Sequence, residues 1–531
     1  MTELSAIPNS VSTRETVPSA APRTPFTWVE GWVLGLLMLC NLAPIWITDR
    51  FPSQNGPWFL LPTHMFREYH NPAFDYAEHF VRNWRPIPHM LHDLLVGIVA
   101  AWIPVFTAER LVLSLQAVLL PFSVWRFIEA VAPGRRWLVY PACLLFLSYP
   151  FFRGYHDYTL SVSMYFLTLA YWYPRRNALT SGSVLVVWVF SLLTYLSHLV
   201  VFGLLAGSLG WLVLFETRRW GRALRTTLLL TGPMWVLTVE YLLANRHATW
   251  IDRSDTEFRK LTENLSSLIF ESFYSVSTPA AWLMALAFAW ALPWTLWQWR
   301  QLAPAERPSL WQTLKLPLGT LMVFFALFYF VAPYKIIGWH KANTRLIPLI
   351  GILLLAVLAQ LLPRVPSPRA LAALWAPLVV AAPIASGMIC REVVAMHSFV
   401  DDFVSGIPLV GRNPRLLQVL VDNPAFGGIR PLTRCHDYYQ IELGGVSRAS
   451  LPALSTLSLM QYREYPVEKK FPVYKREASD AEALQTLRIY THVLVWDRDD
   501  VLLRRLGEAG FLEIHQQGLF RLFRRGDVQG D

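Results

Sequence analysis

The chain has 531 residues and a net charge of +10, yet only 16% of its residues are charged while 54% are hydrophobic. Soluble domains average nearer a quarter charged residues, so this composition excludes an ordinary soluble enzyme. The basic residues are scattered between apolar runs, which argues against nucleic acid as a partner and fits loop arginines that set membrane topology. The sequence has no glycine-rich phosphate loop, which argues against a nucleotide-driven pump. We therefore predict a polytopic membrane protein.

The N-terminal region combines a polar tail with an apolar run. Residues 1–25 are rich in Ser, Thr, Pro and Ala, which predicts a disordered tail. The run from Gly31 to Thr48 is followed by no small-residue cleavage site, so we expect an uncleaved membrane anchor.

The apolar runs predict an all-α bundle of about twelve transmembrane helices (11–13) over residues 26–390. Asn177–Phe215 is uncharged but too long for one helix, so we expect two helices hinged at Ser197-His198. The other long uncharged runs are Pro279–Trp299, Leu316–Tyr334, Leu346–Leu362 and Ala370–Cys390. Shorter runs lie at 31–48, 94–107, 111–125, 137–152, 158–173 and 226–239.

Loop charges predict how the bundle is oriented. The Arg and Lys clusters at 175–176, 218–225 and 300–315 belong on the cytoplasmic side. Alternation then places residues 245–278, 335–345 and the chain from 391 onward outside. Twelve full spans would also place the N-terminus outside, whereas a short polar tail before an anchor usually stays inside. Whether the number of transmembrane spans is even or odd is therefore left open.

Two long outer loops and a C-terminal domain complete the predicted organisation. The loops span residues 48–86 and 245–278, with surface helices expected at Gly56–Tyr69 and 252–276. Residues 391–531 return to a soluble composition and predict a small extracytoplasmic α/β domain. Its expected elements are strands at Leu416–Val421 and His492–Trp496, a helix at Val501–Leu506 ended by Gly507, and a hairpin from Phe511–His515 and Leu519–Phe523.

Asp49 is the first candidate for chemistry, because ionisable residues at a membrane boundary are costly. It directly follows the first apolar run and precedes Arg50. Its carboxylate could accept a proton from a hydroxyl or contact a divalent cation such as Mg²⁺ or Mn²⁺. The alternative is that Asp49 only caps the span and pairs with Arg50.

The layout resembles the GT-C class of membrane glycosyltransferases, in particular families that depend on polyprenyl-phosphate sugars, such as the dolichyl-phosphate-mannose transferases. The resemblance rests on a first span ending in Asp, a long outer loop, many short spans and an external α/β tail. It also rests on short segments, which are Asn55-Gly56-Pro57-Trp58, Arg85-Pro86-Ile87-Pro88-His89, Phe152-Arg153-Gly154-Tyr155, Leu196-Ser197-His198, and Arg345 before Leu346.

The resemblance implies an enzyme that moves a sugar from a polyprenyl-phosphate carrier to an acceptor on the outer face of the plasma (inner) membrane. Asp49 matches the acidic residue of the family's first loop, which serves as catalytic base or metal contact. Relatives often carry a second acidic residue at the next position but one, where this chain has Phe51. Asp75, Glu78 and Asp157 are the remaining candidates for that second carboxylate.

A lipid-phosphate leaving group requires cations or fixed hydrogen-bond donors. Arg345 is the preferred candidate because arginine binds phosphate oxygens bidentately. The wider set of predicted substrate-binding residues is Lys335, His340, Lys341, Arg345, Arg153, His89 and His198. The alternative for this set is interfacial charge that extends toward the lipid headgroups.

Histidine and cysteine spacing gives weaker signals. His89 and His92 lie at i, i+3 before Asp93 on a presumed helix, but no third metal ligand is identified and no metal ligand is assigned. Arg434-Cys435-His436-Asp437 lacks a third catalytic partner, so a docking or acceptor-binding role is expected for the C-terminal domain rather than catalysis. Cys390 and Cys435 could pair only in an oxidising compartment.

Two other functions remain open, namely a lipid or polysaccharide transporter and a non-catalytic protein of cell-envelope assembly.

Overall fold

The computed structural model is a helical bundle with a small α/β unit at its C-terminal end. It describes residues 27–527 apart from 247–255, 275, 337–338, 363–364, 448–449, 451–457, 464–470 and 473. The predicted tail at 1–25 and part of the predicted surface helix at 252–276 lie outside the described residues. Within the described part, the predicted all-α membrane bundle with a C-terminal α/β unit is confirmed.

Helices account for most of the bundle. Those of the N-terminal half are α1 (Trp28–Trp46), α2 (Gly56–Arg67), α3 (Tyr76–His79), α4 (Leu91–Val99), α5 (Val105–Val131), α6 (Val139–Ala142), α7 (Tyr149–Phe152), α8 (His156–Trp172), α9 (Ser181–Ser197) and α10 (Leu199–Thr217). They continue with α11 (Trp220–Ala244), α12 (Leu261–Phe270), α13 (Thr278–Ala289), α14 (Ala291–Gln301), α15 (Leu310–Leu314), α16 (Pro317–Val331), α17 (Ile347–Gln360) and α18 (Pro368–Val404).

Seven helices of the described residues are long and apolar enough to cross a membrane, or eight if the pair bent by 44° at Pro304–Leu314 and Pro317–Val331 is one span. The sequence count is higher because it included runs that fold as shorter helices. The run at 137–152 is broken into several short helical pieces, and the runs at 94–107 and 111–125 are divided between α4 and one long helix, α5. Helices α8 and α9 have 17 residues each.

The predicted hinge at Ser197-His198 is confirmed. α9 ends at Ser197 and α10 begins at Leu199, while His198 between them has an extended backbone with φ −162° and ψ 117°. The break points the His198 side chain into the protein, where it is 1% exposed. One non-helical residue therefore converts a continuous apolar run into two helices and a buried polar group.

Loop charges gather at one end of the bundle. Arg176, after α8, binds Glu216 near the end of α10 at 2.6 Å. Arg219 and Arg222 line the same recess as these two residues. The clusters at 175–176 and 218–225 thus share one end of the bundle, as their predicted common side requires.

The first loop packs inward rather than lying on a surface. α2 contacts α4 and α5 of the bundle and a C-terminal helix, α19 (His436–Leu443). Leu60, Leu61 and Met65 are each at most 3% exposed. The predicted helix at Gly56–Tyr69 is therefore present, but its predicted location on a surface is wrong, because the C-terminal unit covers its apolar face.

The strands are short except in the C-terminal unit. They are β1 (Phe80–Arg82), β2 (Thr256–Glu257), β3 (Lys335–Ile336), β4 (Trp339–His340), β5 (Leu416–Leu420), β6 (Met460–Tyr462), β7 (His492–Trp496), β8 (Phe511–Gln517) and β9 (Phe520–Arg525). The largest sheet has the order β5-β7-β9-β8, with β5 and β7 parallel and the other pairs antiparallel. Two further helices, Asp480–Leu487 and Asp500–Glu508, belong to the same unit. The predicted strands and hairpin are confirmed, while the last helix runs one residue past Gly507.

The membrane bundle and the C-terminal unit are joined by secondary structure. α18 has 37 residues and continues through position 391 without a break. β1 of the first loop pairs with β6 of the C-terminal unit.

The two cysteines considered for a disulfide bond do not form one, because Cys390 and Cys435 are both free thiols.

Candidate functional site

Two segments singled out in the sequence lie against each other at the start of α8. The backbone N–H of Asn55 donates to the carbonyl of Arg153 at 3.1 Å, and that of Gln54 donates to the carbonyl of Phe152 at 3.0 Å. Gly154 has φ +83°, and a Cβ there would lie 2.7 Å from the backbone nitrogen of Gly56. Only glycine allows this conformation and this approach together. The contact fixes the position of the residues that follow, here called the α8 entrance (residues 153–159).

Arg345 lies in a buried pocket made by the α8 entrance and the α9–α10 hinge. One of its guanidinium nitrogens donates to Nε2 of His198 at 2.7 Å, and its backbone carbonyl accepts from the hydroxyl of Tyr158 at 2.6 Å. The guanidinium carbon is 5.5 Å from the centre of the Tyr155 ring. The ring of His89 packs edge-on against His198 at 4.6 Å. The structure thus brings together three of the predicted substrate-binding residues, His89, His198 and Arg345.

Lys341 lies beside a second tyrosine. Its ammonium nitrogen is 3.3 Å from the centre of the Tyr149 ring and 3.0 Å from Oε1 of Glu271. The same carboxylate oxygen binds Arg259 at 3.1 Å. Burial lowers the pKa of Lys341, while Glu271 acts in the opposite direction. Glu271 therefore serves two cations at once.

Arg153 and Arg434 complete the set. Arg434 places its guanidinium over the ring of Trp58 at 4.4 Å, and Arg153 acts electrostatically on both Arg434 and Lys341. The Nε atom of Arg153 is buried and has no hydrogen-bond partner among the described residues. We call Arg153, Lys341, Arg345 and Arg434 the cationic cluster.

The cationic cluster has the chemistry of a phosphate site. Three of its four positive groups, Lys341, Arg345 and Arg434, lie beside aromatic rings, and Glu271 is the carboxylate that contacts Lys341. Like charges held together in a partly dry site favour an anion that bridges them. The tyrosine and tryptophan rings give an apolar lining beside these charges, as an amphipathic lipid headgroup region requires.

The other predicted residues lie elsewhere. Asp49 has a side chain that is 80% exposed, with Oδ1 3.7 Å from Nε2 of His397 on α18. Among the described residues, no hydrogen bond or ion pair joins Asp49 to the cationic cluster, and Arg50 binds Glu442 rather than Asp49. Lys335 and His340 are register partners in the antiparallel β3–β4 pair.

The candidates for a second carboxylate also separate. Asp75 binds His79 at 3.0 Å and accepts from the backbone of Gly445, so it joins the first loop to the C-terminal unit. Asp157 instead lies inside the bundle, 4% exposed, where it accepts from the backbone N–H of His92 at 2.9 Å. Of these carboxylates, Asp157 is the one within the α8 entrance.

A second polar cluster lies on the other side of the α8 entrance. His92 and Asp93 of α4, Glu109 of α5, and His156 and Asp157 of α8 are each 2–4% exposed. The rings of His92 and His156 are 4.9 Å apart. We call these five residues the carboxylate–histidine cluster. Its members His92, Glu109 and His156 form the one group in the described part of the chain whose ligand atoms are close enough to hold a metal ion, and Asp49 is not in it.

Sequence reasoning found only part of these two clusters. His89 precedes α4 with φ +68°, so the expected shared helix face of His89 and His92 is wrong, and the two rings contact different partners. Glu109 was missed, although a carboxylate inside the apolar sequence of α5 is itself a signal. Arg434 was noted only as part of the Arg434–Asp437 segment and Glu271 carries no local signal, because tertiary contacts bring both to the site.

The Arg434–Asp437 segment has a structural role in addition to presenting Arg434. His436 and Asp437 are completely buried, and the hydroxyl of Ser450 donates to Asp437 at 2.8 Å. Burial raises the pKa of Asp437 to about 7, with Arg434 opposing that rise. Arg430, just before it, donates its backbone N–H to the side chain of Gln54. The segment thus anchors the C-terminal unit onto the first loop.

Comparison with known proteins identifies the fold of the chain through solved structures. No family model and no curated protein matches this sequence. The solved structure of ArnT from Cupriavidus metallidurans bound to undecaprenyl phosphate matches with a TM-score of 0.55 and 12% identity, covering 94% of this chain and 98% of that one. The apo state of the same protein matches with a TM-score of 0.56, 13% identity and the same coverage. The chain therefore has the fold of ArnT along nearly its whole length, in agreement with the predicted GT-C fold.

Proposed function

We propose that this protein transfers a sugar from a polyprenyl-phosphate carrier to an acceptor at the membrane face that bears the C-terminal unit, which we assign to the outside. The observation that carries the proposal is the cationic cluster. Lys341, Arg345 and Arg434 each lie beside an aromatic ring, and Arg153 acts electrostatically on Lys341 and Arg434. The fold shared with ArnT, which was solved with undecaprenyl phosphate, supports a lipid of this class as the carrier.

The cluster would bind the phosphate of the donor. Arg345 offers two parallel N–H groups for phosphate oxygens, and Lys341 offers a compact positive charge. In the transfer, the bond between the sugar C1 and the phosphate oxygen breaks, and the electron pair stays on the phosphate. Charge then develops on the departing polyprenyl phosphate, where the cations stabilise it.

The acceptor must lose a proton as the new bond forms between its oxygen and the sugar C1. We propose Asp49 as the base, on the strength of its position after the first span. Its exposed carboxylate beside His397 is open to an acceptor that arrives along the C-terminal unit. Asp157 is the competing candidate, because it belongs to the α8 entrance that also carries Arg153 and Tyr158.

The test is sugar transfer by purified protein in liposomes, supplied with a panel of polyprenyl-phosphate sugars. We expect Asp49→Asn to lower turnover by about a hundredfold or more, the usual scale for loss of a general base. The matched control is Asp401→Asn, since Asp401 also binds His397, at 2.8 Å, but belongs to α18 rather than to the first loop. Circular dichroism and detergent gel filtration establish that each variant is folded.

The other outcomes assign the roles differently. Full turnover in Asp49→Asn with loss in Asp157→Asn would move the base to Asp157. No turnover with any donor, together with saturable binding of undecaprenyl phosphate, would favour a non-catalytic lipid-binding protein. Absence of both turnover and lipid binding would overturn the proposal.

A further inference from the structure

The carboxylate–histidine cluster is buried without the groups that normally neutralise it. Both carboxylate oxygens of Asp93 and both ring nitrogens of His156 lack a hydrogen-bond partner among the described residues. These two residues are each 2% exposed. Asp157 and Glu109 act on Asp93 as like charges. Three carboxylates that are removed from water and kept close to one another require compensation by a positive ion or by protons.

The ligand atoms of the cluster already converge. One side-chain ligand atom each from His92, Glu109 and His156 lies within 4.8 Å of the others. Ligands of a tetrahedral zinc ion at about 2.0–2.1 Å lie roughly 3.4 Å apart. Rotamer changes that move each ligand atom by about 1 Å would therefore let all three bind one ion. Helices α4, α5 and α8 each supply one of the ligands.

We propose that His92, Glu109 and His156 bind a divalent transition-metal ion, with Zn²⁺ the best match to two imidazoles and one carboxylate. Asp93 is not one of the three converging ligands, but it adds a carboxylate that acts electrostatically on the same site. This site is separate from the proposed base at Asp49 and from the cationic cluster, and it does not depend on the proposed transfer reaction.

The surroundings of the ligands support a metal site. Nδ1 of His92 lies 3.0 Å from the side-chain amide of Gln116, which in turn binds the hydroxyl of Thr159 at 2.6 Å. In this orientation the amide N–H of Gln116 donates to Nδ1. A ligating histidine instead donates its second ring N–H, which requires the Gln116 amide to turn so that its oxygen accepts from Nδ1. Gly56 closes the site from above, because a Cβ at that position would lie 3.2 Å from Oε1 of Glu109.

The ion would hold the α8 entrance in place. His156 and Asp157 point into the carboxylate–histidine cluster, while Tyr155 and Tyr158 on either side contact Arg345 through its guanidinium and its backbone carbonyl. A metal at His156 therefore positions the cationic cluster without touching the donor phosphate. This consequence, unlike the site itself, rests on the proposed function.

The first experiment measures metal in the wild-type protein and needs no variant. Elemental analysis of protein purified without added metal should give about one zinc ion per chain. After chelation, titration with Zn²⁺ should restore that stoichiometry and raise the unfolding temperature, whereas Mg²⁺ should do neither. X-ray absorption should show nitrogen and oxygen neighbours at about 2.0–2.1 Å and no sulfur.

Variants then assign the ligands. His156→Gln and Glu109→Gln should each lower zinc affinity at least tenfold. His492→Gln is the matched control, because His492 is 3% exposed and its Nε2 also lacks a partner, but no metal-ligand group of the described residues includes it. Absence of zinc from wild type together with no response to Zn²⁺ would overturn the proposal. Equal zinc binding in wild type and a folded His156→Gln would overturn it as well.

Discussion

The half-buried cationic cluster and the buried carboxylate–histidine cluster, on either side of the α8 entrance, are opposites in charge. The cationic cluster holds four positive groups, with the carboxylate of Glu271 on Lys341. The carboxylate–histidine cluster holds three carboxylates and two imidazoles, each nearly inaccessible to solvent. Concentrated charge of either sign is costly to bury, so we propose a partner of the opposite sign for each cluster. One cluster fits an anion on a lipid, and the other fits a metal cation.

Removing the central arginine should have the largest effect on function. Arg345→Ala should lower turnover about a hundredfold, since a hydrogen bond to an ionised group contributes about 1.5–3 kcal/mol and the buried pocket loses its charge. Arg345→Lys should retain part of the activity, because it keeps the charge but not the bidentate geometry. Transfer assays with saturating and limiting donor measure both variants.

Arg521→Lys is the control for this comparison, because Arg521 binds Glu513 on the C-terminal sheet and should be replaceable without effect. Wild-type turnover in a folded Arg345→Ala variant would show that the cationic cluster does not bind the donor.

Gly154→Ala should break the connection between the clusters and destabilise the fold. The left-handed backbone and the 2.7 Å approach to Gly56 both oppose a side chain, so we expect a loss of about 2–4 kcal/mol in unfolding free energy. Gly182→Ala is the matched control, because its Cβ would meet nothing within 4 Å. Thermal unfolding in detergent compares the two, and equal midpoints would contradict the role assigned to Gly154.

Asp93→Asn should act in the opposite direction on metal-free protein. The substitution removes one of three like charges at nearly constant shape, so the chelated variant should be more stable than chelated wild type by about 1–3 kcal/mol. With zinc bound, the difference should shrink, because the ion already balances the charge. Unfolding of both proteins with and without chelator measures the change, and a loss of stability in the chelated state would show that the carboxylate is already compensated.

Glu271→Gln should give the smallest effect, which appears in the pH profile. Burial lowers the pKa of Lys341 and Glu271 opposes that shift, so removing the carboxylate should lower the pKa further. Lys341 binds phosphate only while protonated, which means below its pKa. The alkaline limb of donor binding should therefore move to lower pH in Glu271→Gln but not in Glu392→Gln, whose carboxylate pairs with the exposed Arg391. An unchanged alkaline limb in Glu271→Gln would show that Lys341 does not bind the donor phosphate.

Local patterns predicted the elements better than their surroundings. The hinge at His198 follows from a polar residue in an overlong apolar run, and the strand His492–Trp496 follows from its β-branched residues. The inward packing of α2 could not be predicted, because the surface that covers it comes from residues almost 400 positions later. The number of long apolar helices is lower than the number of apolar runs for a related reason, since the run at 137–152 folds as short buried helices that include α6 and α7.

The candidate site was predictable where single residues stand out against apolar sequence. Arg153, His198, Lys341 and Arg345 were all recognisable in this way, and they converge on neighbouring aromatic rings. Arg434 and Glu271 were not, because each reaches the site through the packing of a distant segment. His156 was passed over beside the more conspicuous Asp157, and only its contact with His92 reveals it.

The continuous helix α18 fixes the height at which the C-terminal unit stands. Its 37 residues extend about 55 Å, whereas the hydrocarbon core is about 30 Å thick. The surplus acts as a stiff spacer between the bilayer and the sheet. Because each residue of a helix turns the chain by about 100°, a single inserted residue near position 394 would swing the whole C-terminal unit around the helix axis and away from the first loop.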